Sequence, residues 1–205
     1  GIKQANLLVA IDAVNSSGGI AIPLLLKKLG VEKIEKLYCE PNGQFPHNPE
    51  PLAEHLTELS SLMRAGDFDL GIVVDPDVDR LAFVCEDGSM YGEEYTLVTV
   101  ADYLLAKSPG NTVSNLSSTR ALRDITQRYD GKYYAAAVGE VNVVSLMKEV
   151  KAVIGGEGNG GIILPDLHYG RDALVGIALF LSHYVQKGQT LSALRDSYPQ
   201  YKMAK

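Results

Sequence analysis

No stretch of the 205-residue chain approaches the roughly 18 consecutive apolar residues expected of a membrane-spanning helix. The N-terminus has neither the basic nor the apolar region of a secretory leader. Basic runs are also missing. Lys and Arg number 19 against 25 Asp and Glu, a formal net charge of −6. That balance argues against a broad nucleic-acid surface and against membrane attachment, while leaving room for a small molecule in a locally positive pocket. Cysteine is scarce: Cys39 and Cys85 are the only two, both in strand-like runs and without metal-ligand or redox spacing. They read as buried free thiols, consistent with a reducing cytoplasm.

What is present is ordinary for a globular protein, with 46% apolar and 21% charged residues. The length suits one large domain or two of about 100 residues. Apolar periodicity favours two. Strand-like runs at Leu7–Val14, Ile34–Cys39, Leu70–Val74 and Leu81–Cys85 alternate with helical patterns at Gly18–Leu29, Pro51–Ala65 and Glu94–Lys107. The order then recurs. Strands are expected at Thr112–Leu116, Tyr133–Val138, Ala152–Ile154 and Ile162–Leu164, with helices at Thr119–Tyr129, Val141–Val150 and Asp172–Val185. Both halves read β-α-β-α-β-β-α, and turn signals at Ser108-Pro109-Gly110-Asn111 place the boundary between 1–108 and 109–205. The expected fold is α/β, two similar three-layered domains with mixed, mostly parallel sheets.

In the first half, the stretch GIVVDPDVDRLAF sets Asp75, Asp77 and Asp79 at alternate positions between two apolar strands and follows them with Arg80. Two unit charges about 4 Å apart repel by roughly 4 kcal/mol at the effective dielectric near a protein surface. Strands at both ends limit how far the loop can splay them. One arginine against three carboxylates leaves negative charge uncompensated, and a hard divalent cation with oxygen ligands, Mg²⁺ in the vicinity of phosphate, fits the gap. An acidic hairpin without a cation is the plain alternative. The calcium-loop spacing is matched at Glu86, but Arg80 stands where that loop needs Gly, and the flanks are strands.

The same position in the second half holds GGEGNGG, Gly155–Gly161. Glycine allows positive φ and close backbone approach. Glu157 can accept hydrogen bonds from sugar hydroxyls, and Asn159 can both donate and accept. A glycine-rich hairpin turn is the structural alternative. With five glycines around it, Glu157 has little side-chain packing within its own loop, so its carboxylate is expected to reach solvent. The repeat places this loop and the aspartate loop where they could share a cleft. Weaker candidates are Gly18-Gly19, read as close helix packing; His47 in FPHNPEP; His168 and Tyr169 before a helix capped by Asp172; and Glu140, either a helix-start charge or a cleft ligand.

Taken together, DPDVDR, FPHNPEP, VGE and GEGNGG occur in an order that resembles the α-D-phosphohexomutases, the phosphoglucomutases, phosphomannomutases and phosphoglucosamine mutases. The likeness spans nearly the whole chain and corresponds to the second and third of that family's four domains. It implies a metal-binding 1–108 and a sugar-binding 109–205. It implies Mg²⁺ on Asp75, Asp77 and Asp79, completed by a serine phosphate; Arg80 as a catalytic residue near the transferred phosphoryl group; and Glu157 and Asn159 on the sugar hydroxyls. The implied reaction interconverts hexose 1-phosphate and 6-phosphate through a bisphosphorylated intermediate. Two departures stand out: many members end the sugar loop in His, where this chain has Gly161, and many have Asp or His at Glu140. The GEGNGG…GRDA form resembles the archaeal-type phosphoglucosamine mutase branch. No TASHNP-like serine segment and no RxSGTEP-like phosphate loop occurs. The expectation is therefore a central fragment whose serine and flanking domains lie outside the chain, inactive alone. The alternative is a stand-alone metal- or sugar-phosphate-binding module.

Overall fold

A computed structural model describes residues 1–201. After a short helix α1 (Ile2–Ala5), the first half runs β1 (Leu8–Asp12), α2 (Gly18–Leu29), β2 (Lys33–Leu37), α3 (Thr57–Ala65), β3 (Leu70–Val74), β4 (Leu81–Cys85) and α4 (Glu93–Leu105). The second half runs β5 (Asn111–Asn115), α5 (Ala121–Arg128), β6 (Tyr133–Ala136), α6 (Glu140–Val150), β7 (Ala152–Gly156), β8 (Ile162–Ile163), α7 (Ala173–Lys187) and α8 (Leu191–Asp196). The strand orders are β2-β1-β3-β4 and β6-β5-β7-β8. In each sheet the first three strands are parallel and the last pairs antiparallel with its predecessor. The expected repeat is therefore present, and each half ends its sheet in a hairpin whose loop carries the candidate residues.

Strands covered on both faces read as continuous apolar runs, and β3 and β4, buried at every position, show that signal. On one face of the first sheet α3 contributes Leu59 and Met63 to a core with Ala10, Val73, Ala82 and Val84. On one face of the second, α6 contributes Val143 and Met147 to a core with Val113, Ala136, Ala152 and Ile163. The opposite faces share a larger core. Ile22 and Leu26 of α2, Leu97, Val98 and Ala101 of α4, and Ile177, Phe180 and Leu181 of α7 pack there with Ile11, Ile72, Phe83, Ile154 and Ile162. Phe83 and Phe180 stack across it with ring centroids 3.7 Å apart. Each such side chain is worth about 1.5–3 kcal/mol when fully buried. α4 and α7 touch strands of both sheets, so this shared layer fixes where the two hairpin loops meet.

Glycine placement serves the same packing. A Cβ on Gly19 would lie 2.3 Å from the Cys39 carbonyl oxygen, and one on Gly18 would lie 2.7 Å from Val74 Cγ2. Close packing of α2 accounts for the pair, as expected. Asp172 caps α7 by accepting from the backbone N–H groups of Leu174 (2.8 Å) and Val175 (3.1 Å). Of the cysteines, Cys85 is buried, Cys39 is only half-buried, and both are free thiols. The expected helix over Pro51–Ala65 is divided: residues Ala53–His55 form a 3-10 turn and α3 begins at Thr57. Leu56, at φ −109°, ψ 27°, leaves helical geometry as its side chain enters the core. No described helix is long and apolar enough to cross a membrane.

One buried polar cluster ties the C-terminal segment to this layer. Tyr129 donates to Asp102 Oδ1 (2.6 Å), Tyr198 donates to Asp102 Oδ2 (3.0 Å), and His183 Nε2 lies 3.2 Å from Oδ2. Burial alone would raise the Asp102 carboxyl, but the hydrogen bonds from His183, Tyr129 and Tyr198 outweigh it and hold the group well below its ordinary value of 3.8. Its stabilising effect is therefore complete above that value and is lost only as pH falls toward the depressed one. Tyr198→Phe removes a hydrogen bond to a charged acceptor and is expected to cost about 2 kcal/mol. Urea unfolding of the two proteins checks this, and a loss below about 0.5 kcal/mol would contradict it.

Candidate functional site

The β3–β4 loop is organised around its first aspartate. Asp75 Oδ1 accepts from the backbone N–H groups of Asp79 and Arg80, both at 3.1 Å, and Val78 N–H donates to the Asp75 carbonyl at 3.2 Å. Val78 takes a positive φ of 61°. The tip is also held from the other half, because Ala173 N–H at the start of α7 donates to the Val78 carbonyl at 3.1 Å. Asp75 is buried, Asp79 half-buried and Asp77 exposed. One oxygen from each lies within 4.8 Å of the others.

Two arginines oppose this charge. Arg80 Nε lies 3.5 Å from Asp75 Oδ2, and its Nη1 lies 3.6 Å from Glu50 Oε1. Glu50 belongs to the FPHNPEP loop, which is pinned by His47 Nε2 at 2.9 Å from the buried Asp12 Oδ2. Arg171 Nη2 lies 2.5 Å from Asp79 Oδ2. Two buried atoms in the cluster nevertheless have no hydrogen-bond partner, Asp79 Oδ1 and Arg80 Nε. Burial, with the fields of Asp79 and Asp77 behind it, pushes the Asp75 carboxyl up to about 6 despite the backbone hydrogen bond from Arg80. Burial likewise raises Asp79, against the opposing charge of Arg171. Three converging carboxylates, with Asp75 and Asp79 raised by burial and one oxygen orphaned, are a donor set that could hold a hard divalent cation.

A pH dependence follows. The metal-free folded chain takes up a proton at Asp75 between about pH 6 and its ordinary value of 3.8, where the unfolded chain does not. Its contribution to stability therefore rises as pH falls through that window. A cation held by this carboxylate would compete with the same proton, and its affinity would fall as pH drops below about 6. Thermal unfolding with and without Mn²⁺ is expected to show stabilisation by the ion at pH 7.5 that is largely gone at pH 5. Equal stabilisation at both values would contradict the assignment.

Across from this loop, the β7–β8 hairpin closes through Glu157 N–H to the Gly161 carbonyl (3.1 Å) and Gly160 N–H to the Glu157 carbonyl (3.2 Å). Asn159 Oδ1 accepts from Gly161 N–H at 3.2 Å, and its side chain is half-buried. Glu157 does not reach solvent as expected from its sequence neighbours; it is 5% exposed. Its packing comes from distant segments. Oε1 accepts from Asn115 Nδ2 (2.9 Å) at the end of β5 and from Gly139 N–H (3.2 Å) before α6, and Oε2 faces Arg171 Nη1 at 3.2 Å. Asn115 is itself oriented by Ser117 and Ser118, whose hydroxyls donate to its Oδ1 at 2.9 and 3.0 Å.

The two loops therefore meet. In sequence, Arg171 stands out only as part of the GRDA motif beside a helix cap, and Asn115 carries no local signal. Arg171 joins Asp79, Glu157 and Glu140, the last through Nε at 3.1 Å from Oε2. That contact makes Glu140 part of the cleft rather than only a helix-start charge. His168 and Tyr169 stand outside it: His168 pairs with Asp172 at 3.0 Å and Tyr169 lies under Lys148. Arg80, Asp75, Asp77 and Asp79 lie on the β3–β4 loop and Glu157 and Asn159 on the β7–β8 loop, and Arg171 joins the two through Asp79 and Glu157.

Comparison with known proteins gives a consistent picture. Residues 1–88 match the family model described as phosphoglucomutase/phosphomannomutase, α/β/α domain II, and residues 92–201 match the model for α/β/α domain III. A phosphoglucomutase/phosphomannomutase of Thermococcus kodakarensis is 34% identical over 202 residues, covering 98% of this chain and 44% of the relative. A probable phosphoglucosamine mutase of Methanopyrus kandleri is 34% identical over 197 residues, covering 95% and 43%. The crystal structure of a phosphoglucomutase/phosphomannomutase family protein from Burkholderia thailandensis superposes with a TM-score of 0.84 at 28% identity, covering 95% of this chain and 43% of that one. The chain thus spans less than half the length of these relatives.

Proposed function

Because this chain belongs to the phosphoglucomutase/phosphomannomutase family, we propose that it forms the cation-binding and sugar-binding centre of a phosphosugar mutase, an enzyme interconverting hexose 1-phosphate and 6-phosphate. The observation that carries the reading is the convergence of three carboxylates on one hairpin directly opposite the Glu157 hairpin. In this reading 1–108 binds the cation and 109–205 the sugar, with α4 packed against both. The phosphoserine and the bisphosphorylated intermediate that it exchanges with belong to segments outside these 205 residues. Glucosamine, mannose and glucose phosphates are the candidate substrates.

Asp75, Asp77 and Asp79 would hold Mg²⁺. The bound ion would neutralise developing charge on phosphoryl oxygens. Asp75 fixes the loop through its two backbone hydrogen bonds, so the other two carboxylates are presented on a rigid turn. Arg80, held beside Asp75 at 3.5 Å and carrying an always-charged planar fork, would contact the transferred phosphoryl group. On the opposite wall Glu157 has accepted three donors, and an ionised carboxylate offers about four acceptor positions. A sugar hydroxyl would take the remaining one. Asn159 commits its oxygen to the Gly161 N–H, which leaves its amide N–H groups as donors to a second hydroxyl. Such contacts orient the sugar so that the reacting oxygen faces the cation wall.

An isotope-labelled chain with Mg²⁺, titrated with glucose, mannose and glucosamine 1-phosphates, should show shifts of the Glu157–Gly161 amides. A coupled assay of the same preparation should show no turnover. Metal-dependent isomerisation by the pure chain, or no response of this loop to any of the three, would contradict the proposal.

A further inference from the structure

We infer that Arg171 is a positioning residue that couples the acidic loop to the glycine loop, so that a cation on the first is felt at the second. The inference rests on the cation reading above. Three carboxylates from three separate segments converge on this one guanidinium: Asp79 at Nη2 (2.5 Å), Glu157 at Nη1 (3.2 Å) and Glu140 at Nε (3.1 Å). Its side chain is only 15% exposed, so these contacts are poorly screened by solvent. A planar fork with donors in several directions can serve three acceptors at once, which a single ammonium cannot do with the same geometry.

Asp79 is the shared element. Its Oδ2 faces Arg171, while its Oδ1 is buried without any partner. The free oxygen is the one left for a cation. One carboxylate then serves both positive groups. Charge drawn to the cation through Oδ1 weakens the pull on Arg171, whose remaining attraction passes to Glu140 and Glu157. Because Glu157 also receives Asn115 Nδ2 and Gly139 N–H, a change in its pairing reaches the whole second hairpin. Linkage makes the effect reciprocal: whatever ligand engages Glu157 changes cation affinity by the same factor.

Gly161 explains how Arg171 reaches this place. A Cβ at position 161 would lie 2.3 Å from Arg171 Cδ and 3.0 Å from Cγ. The stem of Arg171 fills the space that any side chain ending the glycine loop would need. A side chain at 161 would displace the arginine stem from this position, and the absence of one leaves Arg171 the path by which it reaches the three carboxylates.

The test uses the 205-residue chain, its Arg171→Gln variant and its Arg171→Lys variant. Calorimetric titration with Mn²⁺ is expected to give about tenfold tighter binding for Arg171→Gln, because one positive charge competing for Asp79 is gone, and binding within about twofold of the parent for Arg171→Lys, which keeps that charge. A variant that had merely lost structure would bind more weakly. Amide spectra supply a second readout: saturating Mg²⁺ should shift Gly156–Gly161 in the parent and leave them unmoved in Arg171→Gln. Parent binding as tight as or tighter than that of Arg171→Gln, or a parent glycine loop that ignores Mg²⁺, overturns the coupling and leaves the cation site standing. A parent that binds no Mn²⁺ overturns the cation reading and the coupling together.

Discussion

Glu157→Ala is expected to destabilise the protein by about 3–5 kcal/mol, the cost of removing one partner from a buried charged pair. The carboxylate is 5% exposed and receives Arg171, Asn115 and the Gly139 N–H. Truncation leaves a half-buried guanidinium and a buried amide facing a hole, with no solvent to replace the lost acceptor. For a chain of this length that is a fall in melting temperature of roughly 10 °C. Glu157→Gln keeps the shape and one acceptor oxygen, so it should cost clearly less. The comparison is made by thermal and urea unfolding of parent and both variants. A Glu157→Ala protein within about 1 kcal/mol of the parent would mean that this carboxylate is not structurally engaged.

Gly160→Ala should be nearly as damaging, by about 3 kcal/mol, for a different reason. Gly160 has a φ of 86°, and a Cβ there would lie 2.0 Å from the Leu81 carbonyl oxygen and 3.0 Å from its carbon. Those atoms are backbone of β4, immediately after the acidic loop, so no flexible side chain can yield. The left-handed conformation adds about 1–2 kcal/mol to the steric cost for a residue with a Cβ. Gly158→Ala is the control. Its Cβ would come no closer than 3.1 Å, to the Ser118 hydroxyl, and it should stay within about 1 kcal/mol of the parent. Equal costs for the two variants in urea unfolding would show that the loop can shift away from β4. The functional consequence of the close contact is that Gly160 sets the separation between the two candidate walls.

These two residues mark where the sequence could be read and where it could not. The strands β3 and β4 and the helix α2 have the boundaries expected from their apolar runs, since burial on both faces leaves an unbroken signal. The acidic hairpin was legible because alternation of three aspartates between such strands is a local pattern. Helices α1 and α8, at four and six residues, are too short to show a period. The glycines of this loop suggest in sequence a close approach by a ligand, and at Gly160 the close approach is to the other half's backbone. The neighbours of Glu157 in sequence point its carboxylate to solvent, whereas the groups that bury it, Asn115 and Gly139, are 42 and 18 positions away. Arg171 was hidden in the same way: the sequence noted Gly161 as a departure, but only the fold shows that the arginine occupies the vacated space.

The central claim is that Asp75, Asp77 and Asp79 bind a divalent cation opposite the Glu157 hairpin. Paramagnetic broadening by Mn²⁺ in an amide spectrum of the labelled chain at pH 7.5 tests it most directly. Signals of residues 75–80 should disappear first, and those of residues 157–161 should broaden at higher occupancy while the exposed surface of α3 stays sharp. Asp77→Asn, at an exposed position, should abolish the effect at the same Mn²⁺ concentration with the melting temperature unchanged. Broadening that avoids both hairpins, or that persists undiminished in Asp77→Asn, would contradict the account.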